Sequence, residues 1–485
     1  MRRLLLLVVG LFVCSVVAQA QRTDLSGLVF CIDPGHGGYE SDDRHVIPDP
    51  GTDFWESESN FQKALHLKPL LEQQGATVYL TRNGNSDPDL HDPSPTARWQ
   101  LANSVNAAWF HSIHSNAYNG TVNYTIVLIK ENISTRQPAF PQAVTMSNYV
   151  YNHIRAKLRT GSSAGNIAPG VYLDYTFYGG PGVGSNLVVL SGLVMPGQLS
   201  EGSFHDYYPE TRRLMNNDYR KMEAYALRNA FMQYFGVPSD TLGTIAGIQS
   251  ERGTGKLVNY SRVRLLPADR TYDGDRFNNG FYMFDGLAPG QYTVYFQTPG
   301  YFADSAVVSV GTGATVFLDR QLESTTAPTI LSSVPGKNDT AFSANGSIVI
   351  RFTKVMDTAS VRSAFSIVPS VGGTIRWSDN NTLFTFDPDS VVLPFDTYFT
   401  VTIDSSARSA SGLQLDANGD GTPGDPFILT FKTKAVDAWP PVLISVFPDS
   451  LRTVGAPNHV INMTFDEPLN PSTVNSTNFA IRIVG

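Results

Sequence analysis

Four short segments in the first half of the chain carry side chains able to bind a metal or move a proton. Asp33-Pro34-Gly35-His36-Gly37-Gly38 follows an apolar run, and its glycines permit a sharp turn with room for a ligand beside His36. Trp55-Glu56-Ser57-Glu58-Ser59-Asn60-Phe61 opens a helical pattern, and Phe110-His111-Ser112-Ile113-His114-Ser115-Asn116-Ala117 closes a strand pattern. The fourth segment is Gln198-Leu199-Ser200-Glu201-Gly202-Ser203-Phe204. Taken singly, each has a plain structural explanation. A histidine in a glycine-rich turn hydrogen-bonds within its loop, Glu56 and Glu58 favour a helix N-terminus, and Glu201 fits a surface carboxylate. His111 and His114 point to opposite faces of a strand, so at most one joins a site.

These segments need a scaffold, and the hydropathy pattern supplies one. Between about Leu25 and Gly236, strand-like runs (28–32, 77–80, 108–114) alternate with helical stretches (60–74, 97–106, 146–158, 219–235). Such alternation predicts an α/β N-terminal domain with a largely parallel sheet flanked by helices, and the texture that follows it predicts all-β sandwich modules. Pro69 predicts a kink or early end in the first helix. Cys31 lies within the apolar run 28–32 and reads as a small buried hydrophobe rather than a nucleophile.

After Val237-Pro238-Ser239-Asp240 the texture changes to short alternating runs punctuated by Gly, Pro, Asp and Asn. Gly280-Phe281-Tyr282-Met283-Phe284-Asp285-Gly286-Leu287-Ala288-Pro289-Gly290-Gln291-Tyr292 resembles the signature of carboxypeptidase-regulatory-like domains, small β-sandwiches, and assigns them residues 243–322. Pro328, Ile330, Pro335, Phe352 and Val361 each fall 113 positions before Pro441, Leu443, Pro448, Phe465 and Val474, so one module is used twice. Its texture resembles bacterial Ig-like domains: one at 325–435 and a second, truncated, at 438–485. A half sandwich exposes its edges, so the chain is expected to be a truncated one that further modules once followed. Tyr292, Tyr295 and Tyr301 read first as core or cross-strand pairs of a sandwich, with stacking on surface glycans as the alternative. The modules otherwise read as spacers or wall-targeting units. Asp416-Ala417-Asn418-Gly419-Asp420-Gly421 looks like the start of a calcium loop, but position 12 is Phe427, which excludes an EF-hand. The run reads as a turn, with structural Ca2+ at Asp416, Asn418 and Asp420 as the alternative.

Length and composition bound the rest. At 485 residues, 42% of them hydrophobic, the chain has material for about three packed domains, and disorder is excluded. With 43 Asp+Glu against 35 Lys+Arg there is no basic face for nucleic acid. Arg2 and Arg3, an apolar run from Leu4 to Val13 and Ala18-Gln19-Ala20 form a secretory signal over residues 1–20, with a lipoprotein use of Cys14 as a weaker reading. No later stretch suits a transmembrane helix. Removing the leader leaves 33 basic against 43 acidic residues and one cysteine, Cys31, so no internal disulfide holds the domains. The expected location is periplasmic, cell-surface or extracellular.

Together the four segments resemble the zinc-dependent N-acetylmuramoyl-L-alanine amidases of the family-3 type, over residues 27–236. The family's "D-P-G-H-G-G" is matched at 33–38, its "E-x-x-x-N" by Glu56 and Asn60, and its "R-x-x-x-A-N" by Arg98, Ala102 and Asn103. "S-I-H-x-N-A" recurs at 112–117, and "E-x-x-F" fits Glu201 and Phe204. The resemblance implies that His36, Glu56 and His114 bind a catalytic zinc and that Glu201 is the catalytic carboxylate. It implies peptidoglycan as substrate, cut at the amide between N-acetylmuramic acid and L-alanine. Asp42, Asp43, His45 and Asp53 depart from the family's glycine-rich stretch, which leaves His45 as an alternative ligand, and Glu210 is a second choice for Glu201. The segment 160–184, with Gly179-Gly180-Pro181-Gly182, is expected to be a substrate-rim loop and not an autoinhibitory helix. Competing readings are a non-catalytic surface protein that binds glycan or acts as a spacer, with an inactive amidase-like domain, and a zinc hydrolase of another amide.

Overall fold

Strand Val29–Pro34 (β1) is buried on both faces, as its unbroken apolar run requires of a central strand in a parallel sheet. In the computed structural model, which describes residues 22–39, 44–86, 91–161, 168–179, 186–389, 393–436, 439–448 and 460–480, β1 lies second in a six-stranded sheet. The proposed leader, Cys14, Asp42, Asp43 and Gly180-Pro181-Gly182 lie outside the described residues.

Helix Glu56–Glu72 (α1), strand Thr77–Leu80 (β2), helix Pro95–Ser104 (α2), strand Trp109–Asn116 (β3) and strand Ile126–Ile129 (β4) follow. Then come helix Gln142–Leu158 (α3), strand Gly170–Leu173 (β5), strand Gly197–Phe204 (β6), helix Tyr208–Leu214 (α4) and helix Asn217–Tyr234 (α5). The sheet order is β2-β1-β3-β6-β4-β5, with every neighbouring pair parallel except β6 and β4. Side chains alternate along the strands, so one face (Phe30, Ile32, Ile113) packs under α1, α3 and α5. The other (Cys31, Phe110, Leu199) packs under α2 and a one-turn helix at Val188–Ser191.

Two expectations need correction. The helix predicted over 60–74 starts at Glu56, and it runs through Pro69 to Glu72. Proline removes one donor and crowds the carbonyl one turn earlier. Here it sits in the last turn, where buried Leu67 and Leu71 hold the helix, and Gln73 N still reaches Pro69 O at 2.9 Å. The segment 160–184 is not simply a loop. It contributes edge strand β5 and a one-turn helix, Asp174–Phe177, because the open edge of β4 offers a ladder to pair with.

Strands Gly243–Glu251, Phe281–Leu287, Thr315–Phe317 and Arg320–Leu322 form one sheet of the next module. Strands Arg262–Leu266, Arg270–Asp273, Gly290–Phe296 and Asp304–Val310 form the other. Tyr292, Val294 and Phe296 point into the core between them, and Tyr295 and Tyr301 are half-buried, so these tyrosines form no exposed stacking face. Nor is this module a free spacer. Ala246, Phe281 and Met283 join the apolar cluster of α3 and α5, and Asp285 pairs with Lys221 and Tyr225. Arg159 holds Asp319 through two bonds of 2.8 and 2.7 Å. Asp49, seven residues before Glu56, accepts from Arg212 of α4 at 2.8 and 2.9 Å and from Asn278 of the module at 3.1 Å.

From Thr326 onward a second compact unit begins. Its sheets are Ile330–Val334, Ile348–Phe352, Leu383–Pro388 and Gly373–Ser378 in that order, and Phe365–Val368, Tyr398–Ile403 and Phe427–Lys432, around a core that includes Phe384, Phe399 and Phe431. The 113-residue offset recurs in strand pairing: Ile330 opposes Phe352 and Leu443 opposes Phe465, each next to a register shift. In the Asp/Asn/Gly run, Asp416 accepts from the backbone of Gly419 and Gly421 at 2.8 and 2.9 Å, as turn use predicts. The acidic neighbours are Asp416, Asp420 and Asp425; Asn418 instead donates to Asp420 at 3.1 Å.

One ion pair stands apart from the apolar core. Lys63 of α1 and Glu223 of α5 meet at 2.7 Å, both wholly buried, and a Cβ added at Gly202 of β6 would lie 2.6 Å from Glu223 Oε1. Removing one partner strands a buried charge, so Lys63→Met or Glu223→Leu is expected to cost about 3–5 kcal/mol. The double variant is expected to regain most of that loss in denaturant unfolding; a double variant no more stable than either single would refute the pairing.

Candidate functional site

Glu56 opens α1 with its carboxylate 2% exposed and set between two imidazoles. Its Oε2 lies 3.1 Å from His36 Nε2, and its Oε1 lies 3.2 Å from His114 Nδ1. The two rings stand nearly perpendicular with centroids 4.6 Å apart, and one ligand atom from each of the three residues falls within 4.8 Å of the others. Local sequence explains the approach. β1 and β3 run parallel, so both loops leave the same end of the sheet. His36 adopts a left-handed backbone (φ 57), a costly conformation for a residue with a side chain. Gly35 has no substitute, because a Cβ there would lie 2.1 Å from His114 Nε2.

Donors hold the carboxylate in place. Asn60 Nδ2, one turn along α1, reaches Glu56 Oε1 at 3.0 Å, and the Ser115 N–H reaches it at 2.9 Å. His205, buried just past β6, places Nδ1 2.8 Å from Ser115 O and 3.8 Å from Glu56 Oε2. Burial alone would raise Glu56, but the charges and hydrogen bonds of His36 and His114 hold it well below the usual carboxylate range. His114 answers in kind: burial disfavours its charged form, yet Glu56 raises it. His36 is lowered, chiefly by burial, and Arg44 Nε lies 2.9 Å from its Nε2.

Behind the histidine loop sits Asp33, fully buried, accepting from Arg98 Nη1 at 2.7 Å, Ser112 Oγ at 2.6 Å and Thr81 Oγ1 at 2.5 Å. Arg98 then donates to Pro34 O and His36 O, both at 3.0 Å. The arginine of the α2 motif thus clamps the loop that carries His36.

Glu201 stands on β6 opposite His114 of β3, on the same sheet face. Its Oε2 is buried without a hydrogen-bond partner among the described residues. Burial pushes its pKa up to about 7, with Glu56 adding repulsion and His114 drawing it down. The cluster opens on a groove of about 450 Å3 whose lining includes His36, His114, Arg98 and Leu187 to Val189. Two imidazoles and a carboxylate converge with ring and oxygen donors facing inward, and a bare carboxylate oxygen waits beside them. That set fits a catalytic zinc, which takes three such ligands and leaves a position open.

The alternatives are engaged elsewhere. His111 faces the opposite side, between Gln198 (3.1 Å), Ser200 (3.2 Å) and Phe231, and burial pushes it down to about 3. His45 stacks on Trp55 and pairs with Asp53, outside the cluster. Glu58 accepts from Gln62 at 2.8 Å. Glu210 is buried between Arg213 and Tyr219. His205 carries no motif; only the register that sets Phe204 beside Asn116 brings it to Ser115.

Residues 30–232 match the family model described as N-acetylmuramoyl-L-alanine amidase, and residues 324–433 match that of a bacterial Ig-like domain. A cell wall amidase of Bacillus anthracis is 25% identical over 220 residues, covering 45% of this chain. The match spans 37% of that curated relative's length. Among solved structures, the catalytic domain of the amidase CwlV from Bacillus (Paenibacillus) polymyxa is 20% identical with a TM-score of 0.34, covering 44% of this chain and 99% of that one. The amidase AmiC2 of Nostoc punctiforme is 24% identical with a TM-score of 0.32, covering 43% and 98%.

Asp33 yields a test. Although burial raises it, Arg98 and the two hydroxyls hold its carboxyl below 3.8, so the ionised form stabilises the fold above about pH 4 and that contribution fades as pH falls through the lowered value. Asp33→Asn is expected to cost about 3–5 kcal/mol near neutral pH by leaving Arg98 without its buried partner. The gap between wild type and variant should narrow from pH 5 to pH 3 in denaturant titrations; a gap independent of pH would contradict this role.

Proposed function

We propose that residues 27–236 form an exported, zinc-dependent peptidoglycan hydrolase that cuts the amide between N-acetylmuramic acid and L-alanine of the stem peptide. The observation that carries this reading is the convergence of His36, Glu56 and His114 beside the unpartnered oxygen of Glu201. The family match over 30–232 supports the substrate class. Zinc held by His36, Glu56 and His114 would supply a water acidified to a pKa of about 7 and polarise the scissile carbonyl.

The chain's own groups do the remaining work. Asn60 and the Ser115 N–H fix the Glu56 carboxylate so that it meets both histidines without rotating. Arg98 fixes the carbonyls of the His36 loop. Glu201 takes a proton from water at Oε2 and delivers it to the departing amine of L-alanine, which suits a carboxyl raised toward neutrality. Leu187 to Val189 give the groove an apolar wall that keeps bulk water from the amide. Export follows from the leader-like pattern at residues 1–20.

The full chain incubated with purified peptidoglycan is expected to release stem peptides with a free L-alanine amine, and chelation should abolish release. Glu201→Ala should lower kcat by about 10²–10⁴-fold while keeping one zinc per chain. His36→Ala should lose the metal by elemental analysis. Cleavage that survives chelation would rule out the zinc mechanism. Binding to peptidoglycan without any cleavage would favour the non-catalytic surface protein.

A further inference from the structure

A second cavity of about 450 Å3 opens where Tyr39, Asp53, Trp55, Glu58 and Arg220 meet. Trp55 immediately precedes Glu56, and Tyr39 follows the glycine loop that holds His36, so this cavity adjoins the candidate site through two short pieces of backbone. Its walls are chemically opposed. Arg220 of α5 spends Nε on Leu214 O at 2.5 Å, and among the described residues no carboxylate lies within ion-pair distance of its guanidinium. Arg98, Arg212 and Arg213 each hold such a partner. Burial pushes Arg220 down to about 10, with Glu58 and Tyr39 the groups that act against that fall. Across the cavity, Glu58 is met among the described residues by neutral hydrogen-bond donors: Gln62 Nε2 at 2.8 Å and Tyr39 OH at 3.5 Å. Tyr39, 44% exposed, stands edge-on to Trp55 with ring centroids 5.5 Å apart.

A half-buried guanidinium without a counter-ion is costly, so the cavity favours a ligand that brings a carboxylate. A simple anion would face Glu58 and the exposed Asp53, and a neutral sugar would leave Arg220 uncompensated. A group carrying both charges satisfies both walls: carboxylate on Arg220, ammonium on Glu58 and against the Tyr39 ring. We infer that this cavity binds a zwitterionic amino-acid group of the substrate, the free ammonium–carboxylate end of a diamino acid in the stem peptide. The inference rests on the peptidoglycan reading above. An extended peptide advances about 3.3–3.6 Å per residue, so a third stem residue can enter a cavity walled by the neighbours of Glu56 while the first lies at the groove.

The test uses the full zinc-loaded chain and two muropeptides identical except at the third stem residue. One carries meso-diaminopimelate, with a free ammonium–carboxylate; the other carries L-lysine, with the ammonium alone. KM is expected to be about 10-fold or more lower for the diaminopimelate substrate. Arg220→Gln should bring the two KM values together, and Arg220→Lys should restore part of the gap. Glu58→Gln should weaken both substrates alike, which keeps the site testable if the arginine variant fails to fold. Calorimetric titration of the same tripeptides into the Glu201→Ala chain reads binding without turnover. Equal affinity for the two peptides there, or a gap that persists in Arg220→Gln, overturns the site. Absence of cleavage with diaminopimelate-selective binding intact would instead overturn the catalytic reading.

Discussion

Everything around the candidate site answers one constraint: the Glu56 carboxylate is buried and ionised. Taking a carboxylate out of water costs several kcal/mol unless opposite charge and hydrogen bonds replace the lost solvent. Its position at the first residue of α1 places it in the positive field of a helix N-terminus. Asn60 lies one turn on, the spacing that returns a side chain to the same helical face. His36 and His114 supply the rest from two parallel strand ends. Moving any of these elements by a few ångströms would leave the carboxylate uncompensated, so the site and the fold of its domain stand together.

That requirement extends outward through a chain of charged contacts. Asp33 and Arg98 lock the histidine loop from behind, and Arg98 reaches backbone carbonyls as well as the carboxylate. Asp49, ahead of Glu56, is held jointly by Arg212 and by Asn278 of the neighbouring β-sandwich. The sandwich therefore braces the segment leading into α1 rather than hanging from it. Its apolar contribution through Phe281 and Met283 makes it part of the same packed body as α3 and α5. A region that composition alone describes as turn-rich β structure thus acquires a positioning role.

Much of the fold was legible because its cause is local. The apolar runs of β1 and β3, the helical spacing of α3 and α5, and the glycines around His36 each act over a few residues. The opposite orientation of His111 and His114 followed from the two-residue period of a strand. What misled was equally physical. Pro69 reads as a breaker, yet in a last turn it forfeits little. The rim segment gained a strand only because β4 left an open edge.

By itself, the sequence determined which residue types were present at which spacings: a glycine loop with one histidine, a helix opening on Glu56, a strand ending in His114, and Glu201 before Phe204. Their order was enough to point to a hydrolytic metal centre through family resemblance. Only the tertiary structure decided that Glu56 bridges both histidines, that His205 reaches Ser115, and that Arg220 faces Glu58 across an open cavity without a counter-ion among the described residues. Those relations depend on strand register and helix packing between residues as much as about 160 positions apart, where no local propensity acts and only the burial of the shared core sets the distances.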